Sequence, residues 1–225
     1  MKQPLLLLAG LLLASTTQAQ FGVKAGANLA TLATETGSGM FATSGGQTTV
    51  GSRPGYQIGV FYEKKLAGRL SLVPELQYSR QTTDLVVSNN LVPDNSYFAD
   101  YRLTLHYLNV PVVARIALGK FYLEAGPQAS FLLAAHEKGY EDRLSPYTRY
   151  DSSRRDFDRS AADRYQRVDV GACAGAGVAL PGGFALGLRY SAGFLSISRE
   201  LQPDTYGGSL KNQVAQASVS YQFGL

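Results

Sequence analysis

The chain lacks most of what small secreted domains and enzymes use to hold themselves together. Its 225 residues include one cysteine, Cys173, and no tryptophan. No internal disulfide can form, so stability must come from packing or from the surroundings. Only two histidines are present, His106 and His136, and they do not cluster with the cysteine. Transition-metal sites draw on grouped His, Cys and carboxylate ligands, so neither a metal nor another cofactor is expected. Charge of one sign is missing too: 21 basic side chains stand against 17 acidic ones, dispersed along the chain. That balance excludes the basic stripe that nucleic acid needs as a partner. Beyond the first twenty residues no stretch is long and apolar enough to cross a bilayer as a helix. Helix is disfavoured in general by the 24 glycines, each of which costs about 1 kcal/mol relative to alanine.

Residues 1–19 have the pattern of a cleaved secretory signal. Lys2 supplies the positive start, residues 5–14 (LLLLAGLLLA) the apolar run, and Thr17, Gln18 and Ala19 the small cleavage site. The apolar run is too short to be a spanning helix. Residues 20–225 then form one large β domain.

In that domain the apolar residues recur every second position, which is the strand period. Eight strand candidates emerge. In the first, Phe21, Val23, Ala25, Ala27 and Leu29 share one face and Gly22, Lys24, Gly26 and Asn28 the other. The last sets Ala215, Ala217, Val219, Tyr221 and Phe223 against Gln216, Ser218, Ser220 and Gln222. The fourth, residues 101–118, changes phase: Tyr101, Leu103, Leu105 and Tyr107 are odd, whereas Val110, Val112, Ala114 and Ile116 are even. A β-bulge near residues 108–111 is expected to absorb one residue and keep all eight on one face.

The connections alternate in length. Short ones contain Gly68, then Gly119 and Lys120, then Pro181, Gly182 and Gly183; long polar ones span roughly residues 33–53, 84–100, 136–164 and 200–212. A soluble sandwich has no reason to sort its loops this way, whereas a bacterial outer-membrane barrel has short periplasmic turns and long external loops. Each strand's apolar face has the height of a tilted membrane-crossing strand, about 9–11 residues. Phe21, Tyr62, Phe121, Phe184 and Phe223 fall at the short-turn end, and Tyr56, Tyr78 and Tyr101 at the other, as two interface girdles would. The expected fold is all-β, an eight-stranded antiparallel transmembrane up-and-down β-barrel with both termini periplasmic. The strand at residues 214–225 closes it on the first, because an open edge is not tolerated in hydrocarbon.

The inward charges expected from this alternation are Lys24, Glu63, Glu75, Arg102, His106, Arg115, Glu124, Asp169 and Arg189. Eight strands enclose only enough room for side chains, so these groups are expected to pair as an internal plug, since buried charges need partners. A narrow porin-like channel for small solutes is the alternative. A membrane-embedded hydrolase is a third reading: Glu75, Glu63 and His106 can be assembled into a triad on paper, but no catalytic residue is assigned. The run GACAGAG, residues 171–177, is not a nucleotide loop, because Val178 continues the strand and Leu180 replaces the third glycine. The segment at residues 136–167 interleaves eight basic and seven acidic side chains with tyrosines. Its Tyr140, Tyr147, Tyr150, Arg154, Arg155 and Phe157 form the candidate external surface for a protein or glycan ligand.

With Gly22, Lys24, Gly26 and Asn28 in the opening strand and Tyr107, Leu108, Pro111 and Arg115 in the central one, the chain resembles the PorT-like outer-membrane β-barrel family. The resemblance implies the outer membrane of a Gram-negative bacterium, with its lipid and lipopolysaccharide as surroundings. It implies insertion by machinery that reads a terminal aromatic, here Phe223 before Gly224 and Leu225, and raises a role in secretion or envelope biogenesis.

Overall fold

The computed structural model describes residues 19–35, 46–89, 97–143, 153–197 and 209–223. Residues 1–18 of the signal segment expected at residues 1–19 lie outside them, as do Tyr147, Tyr150, Gly224 and Leu225. The strands are β1 (Ala19–Glu35), β2 (Gly46–Ala67), β3 (Leu70–Asn89), β4 (Tyr97–Leu118), β5 (Phe121–Arg143), β6 (Ser153–Ser160), β7 (Val168–Ala179), β8 (Phe184–Ser196) and β9 (Ser209–Gln222). All but β6 form a closed antiparallel ring in chain order. The short β6 continues the line of β7: both pair with β5, and a 3-10 turn at Ala162–Arg164 separates them.

Glycine sets the short ends. Gly68, Gly119, Gly182 and Gly183 have φ between 56° and 82°, a region that side chains bearing Cβ rarely enter. The ring closes where sequence alternation places the seam: Gly22 pairs with Gln222 and the register runs to Glu35 with Ser209. One further bond joins the seam's end, from the Phe223 amide to the Phe21 carbonyl at 2.8 Å.

Near the short turns the polarity runs from the inside outward. Phe21, Val23, Ile58, Val60, Leu76, Ile116, Leu123, Leu186 and Val219 are all exposed on the outer face, while Lys24, Glu75, Glu124 and Arg189 are buried inside. Phe21 against Tyr62 and Phe184 against Tyr221 form aromatic contacts at this end, with ring centroids 5.0 and 4.9 Å apart. Inward glycines make room for large side chains. A Cβ on Gly177 would fall 2.3 Å from the Tyr122 hydroxyl, and one on Gly187 would fall 2.8 Å from it.

Near the long connections the polarity is the other way round. Leu32, Leu85, Leu103, Leu105, Tyr107, Leu132, Ala135, Tyr165, Ile197 and Leu210 form a buried apolar cluster inside the ring. This corrects the expectation for β4. Its alternation is unbroken: Leu103, Leu105, Tyr107, Asn109, Pro111 and Val113 are all buried, and Val112, Ala114 and Ile116 are exposed. No bulge interrupts residues 108–111. The apolar residues change face because the medium outside the barrel changes from hydrocarbon to water. Tyr101 accordingly packs against the inner cluster and the ring of Phe157 rather than joining an outer girdle.

Register shifts do occur elsewhere: between Lys65 and Ala67 in β2, between Ala192 and Ser196 in β8, and at two places midway along the long strands. In β5, His106 pairs with Ala134 but Tyr107 pairs with Leu132, so Leu133 is the extra residue. In β2, Pro54 and Gly55 interrupt the ladder between Arg53 and Tyr56. Both lie where the two halves meet and re-aim the strand above them. Several expected loops are strand instead: β2 to β5 are 20 to 23 residues long, about twice what a crossing needs. With β6 they raise a wall beyond the apolar band.

Candidate functional site

Alternation aims one ionisable side chain from each of six strands at the same level of the lumen. Glu75 of β3 is the centre. Its carboxylate accepts from Lys24 Nζ at 3.0 and 3.2 Å and from the Arg189 guanidinium at 2.8 and 2.7 Å, and it is further bonded by the Gln77 amide. Arg189 Nε also donates to Glu124 at 2.9 Å. Glu124 in turn accepts from Arg115 at 3.2 and 2.9 Å. Arg115 donates to Glu63 at 2.8 Å, and its guanidinium lies 4.4 Å from the centre of the Tyr122 ring. Gln222 of β9 reaches the same Glu63 carboxylate at 3.4 Å.

Lys24, Arg115 and Arg189 thus meet Glu63, Glu75 and Glu124, three positive charges against three negative. Side-chain exposure is 1% for Glu75 and rises to 14% for Glu63, so the Arg115–Glu63 end faces the short-turn mouth. An ion in such surroundings is tolerable only when its hydrogen-bonding capacity is filled and its charge offset. The network meets both conditions, and it crosses the lumen from β1 to β5 and β8.

The remaining inward candidates fall elsewhere. Asp169 is buried but stands apart from the network, accepting from the Leu195 amide at 3.3 Å. Arg102 is on the outer face and, with Arg53, binds Asp84. His106 is outside as well, its Nδ1 bonded to the Tyr78 hydroxyl at 2.6 Å. Both misplacements follow from the assumed β4 bulge. They also separate His106 from Glu63 and Glu75, so the paper triad is not assembled.

Above the network lies an uncharged layer. Asn109 and Gln81 donate to the Ser79 hydroxyl at 3.0 and 3.3 Å, and Asn212 donates to Gln81 at 2.9 Å. Above that, inside the outer end, is a second acid-centred cluster, outside the inward set expected from the sequence. Glu137, 4% exposed, accepts from Arg159 at 2.9 Å, Arg164 at 3.1 Å and the Tyr165 hydroxyl at 2.9 Å. Burial, with Tyr101 and the Glu137 carboxylate nearby, holds the Tyr165 hydroxyl well above the ordinary phenol value. Glu137 lies in the segment expected to be a loop, and it points inward because the bulge at Leu133 shifts the inward set of β5 from even to odd positions.

The candidate binding segment is therefore largely a β5–β6 hairpin. On its outer face Arg154 lies 3.7 Å from the centre of the Tyr140 ring, and Phe98 packs on Tyr140 from the side of β4. Asp158 binds His136 at 2.6 Å and Lys138 at 2.9 Å, and these bonds hold its carboxyl below the usual aspartate value. On the inner face Phe157 meets Tyr101 and Arg159, and Arg155 stands opposite Glu141 in the register. Tyr140 and Arg154 thus share one face and Phe157 and Arg155 the other.

Among solved structures the chain is similar to Neisserial surface protein A, at 14% identity and TM-score 0.47, covering 92% of this chain and 100% of that one. It is similar to Ail, the attachment invasion locus protein of Yersinia pestis, at 11% identity and TM-score 0.44, covering 92% and 100%. OprG from Pseudomonas aeruginosa gives 10% identity and TM-score 0.45, covering 92% and 97%. No curated protein matches in sequence. The model of the outer membrane protein beta-barrel domain matches residues 14–199. The chain belongs to that family, an eight-stranded barrel of the Gram-negative outer membrane.

Proposed function

We propose that this protein is a filled barrel with a structural or surface-interaction role, whose working surface is the wall raised by β2–β6. The observation that carries this reading is the neutral Lys24–Glu75–Arg189–Glu124–Arg115–Glu63 network across the lumen. With the apolar cluster above it, it leaves side chains where a conduit would run. The test is planar-bilayer recording of the refolded chain. The filled barrel gives no stable conductance steps, and Glu75→Ala introduces them or prevents folding.

A narrow channel for small solutes is the second reading. It is favoured by the buried amides of Asn28 and Gln57, which have no protein partner among the described residues and give the middle of the lumen hydrogen-bonding capacity. Stable single-channel steps from the unaltered protein decide for it.

Three finer assignments go with the main reading. The PorT-like branch of the family is supported by Gly22, Lys24, Gly26 and Asn28 and by Tyr107, Leu108, Pro111 and Arg115. Residues 1–19 act as the cleaved leader, and β9 with Phe223 is the segment read by the insertion machinery. The ligand of the wall is a protein or glycan that meets Tyr140 and Arg154. A pull-down on the refolded chain that is lost in Tyr140→Ala with Arg154→Ala, while the folded gel band persists, supports that surface. A pull-down unaffected by both changes removes it.

A further inference from the structure

Outside the wall, the register arranges outward side chains in rows along the hydrogen-bonding direction. Ile58, Tyr78, Leu108 and Phe131 form one row, facing the apolar side. The next is Tyr56, Arg80, His106 and Ala134. Two rows further out stand Asp84, Arg102, Lys138 and Asp158, a water-facing row of exposed ions. The Arg80 row is therefore the first polar row beyond hydrocarbon, the depth at which lipid phosphates sit.

Its chemistry suits that depth. Arg53 and Arg102 are both committed to Asp84, and Lys138 to Asp158. Among the described residues no ion pair joins Arg80, which is half-buried between Tyr56 on β2 and His106 on β4. Tyr56 stacks toward Tyr78 at 6.3 Å, and Tyr78 toward His106 at 6.0 Å. With Nδ1 of His106 held by the Tyr78 hydroxyl, Nε2 is the ring nitrogen left for a further partner. A guanidinium and an imidazole side by side, with Tyr56 in the same row and Tyr78 in the row below, make a polar set for a tetrahedral oxyanion. The Tyr78 ring below it suits the carbonyl and upper acyl region of the same molecule.

We propose that Arg80 and His106, flanked by Tyr56 and Tyr78, bind the phosphate of an outer-leaflet lipid. The inference rests on the outer-membrane reading and adds to it a defined lipid site on one side of the barrel. An ordinary lipid annulus contacts every strand alike and needs no such set.

The test titrates the refolded full chain in detergent micelles with diphosphoryl lipid A, with the same lipid stripped of its phosphates, and with inorganic phosphate. The His106 ring signals are followed by NMR, and the bound count by native mass spectrometry. A lipid-phosphate site gives one saturable lipid A per chain and shifts the His106 signals. Affinity falls roughly fivefold in Arg80→Gln and further in Arg80→Gln with His106→Gln. It is unchanged in Lys120→Gln, in the exposed short turn at the opposite end of the barrel. Equal binding of the phosphate-free lipid, equally tight binding of inorganic phosphate, or an Arg80→Gln variant with unaltered affinity overturns the proposal. Heat-modifiable gel mobility is measured first on every variant. An unaltered chain that never gives the folded band refutes the barrel reading instead, and if only the double variant misfolds, Arg80→Gln carries the test alone.

Discussion

The two ends of β4 obey opposite rules. Near Leu118 the outward residues are Val112, Ala114 and Ile116 and the inward one is Arg115; toward Tyr97 the outward ones are Arg102 and His106 and the inward ones Leu103, Leu105 and Tyr107. The backbone is continuous and its alternation does not slip. What differs is the solvent. Where hydrocarbon surrounds the barrel, apolar side chains gain nothing by turning inward, and the lumen is filled with paired charge instead. Where water surrounds it, the hydrophobic effect draws leucine inward as in any soluble domain. A single strand therefore records the position of the membrane boundary in the phase of its own sequence.

The largest effect should come from unbalancing the lower half. Glu75→Ala leaves Lys24 and Arg189 without their shared carboxylate, and removing one partner of a buried pair costs about 3–5 kcal/mol. As no tryptophan is available, urea unfolding is followed by far-UV circular dichroism, and an unchanged midpoint would show the network to be dispensable. Deleting apolar volume in the upper half should come next. Leu103→Ala, at a fully buried position, costs about 2–5 kcal/mol, and the loss should be the same in detergents of different chain length, because Leu103 does not contact them.

The third prediction sets the two halves against each other on their outer faces. Val219→Arg, on the lipid side, costs about 2–4 kcal/mol in bilayers. Arg102→Gln, on the water side and half-exposed, costs under about 1 kcal/mol. Similar values for the two would erase the boundary. Glu137→Gln removes the charge that Arg159 and Arg164 share, at about 1–3 kcal/mol, and should quicken tryptic cleavage after Arg164 with little change in the membrane band.

The smallest effect is electrostatic and local. The Asp158 carboxyl is held below its ordinary value by Lys138 and His136. A depressed folded-state value means that its contribution is present above the unfolded value and is lost as pH falls through the lowered one. An NMR titration of the wall should show the Asp158 carboxyl taking up its proton below the ordinary aspartate range.

Much of this was legible in the sequence, for a reason that also marks the limit. Period-two alternation with small residues opposite large ones needs only neighbour geometry, so the three glycine turns, the β1–β9 seam and the inward Lys24, Glu75, Glu124 and Arg189 could be read directly. Arg102, His106 and Tyr101 could not. Their faces depend on whether Leu103 and Leu105 look toward lipid or away from water, and alternation is the same in both cases. A bulge and a change of medium produce the same shift of phase in a sequence. Here the real bulge sits on the partner strand at Leu133, where two adjacent apolar or small residues, Leu133 and Ala134, disguise it. Glu137 was hidden because a charged segment that continues a strand resembles a loop.

The β1–β9 seam has a kinetic meaning as well. Gly22 must find Gln222, two hundred positions away, and until it does, two strand edges have unpaired amides that hydrocarbon cannot satisfy. Late, long-range closure makes folding slow, and the same barrier stands against opening. Survival of the native ring then depends on how rarely the seam parts rather than on how favourable each contact is, so its lifetime can outlast what its equilibrium stability alone would suggest.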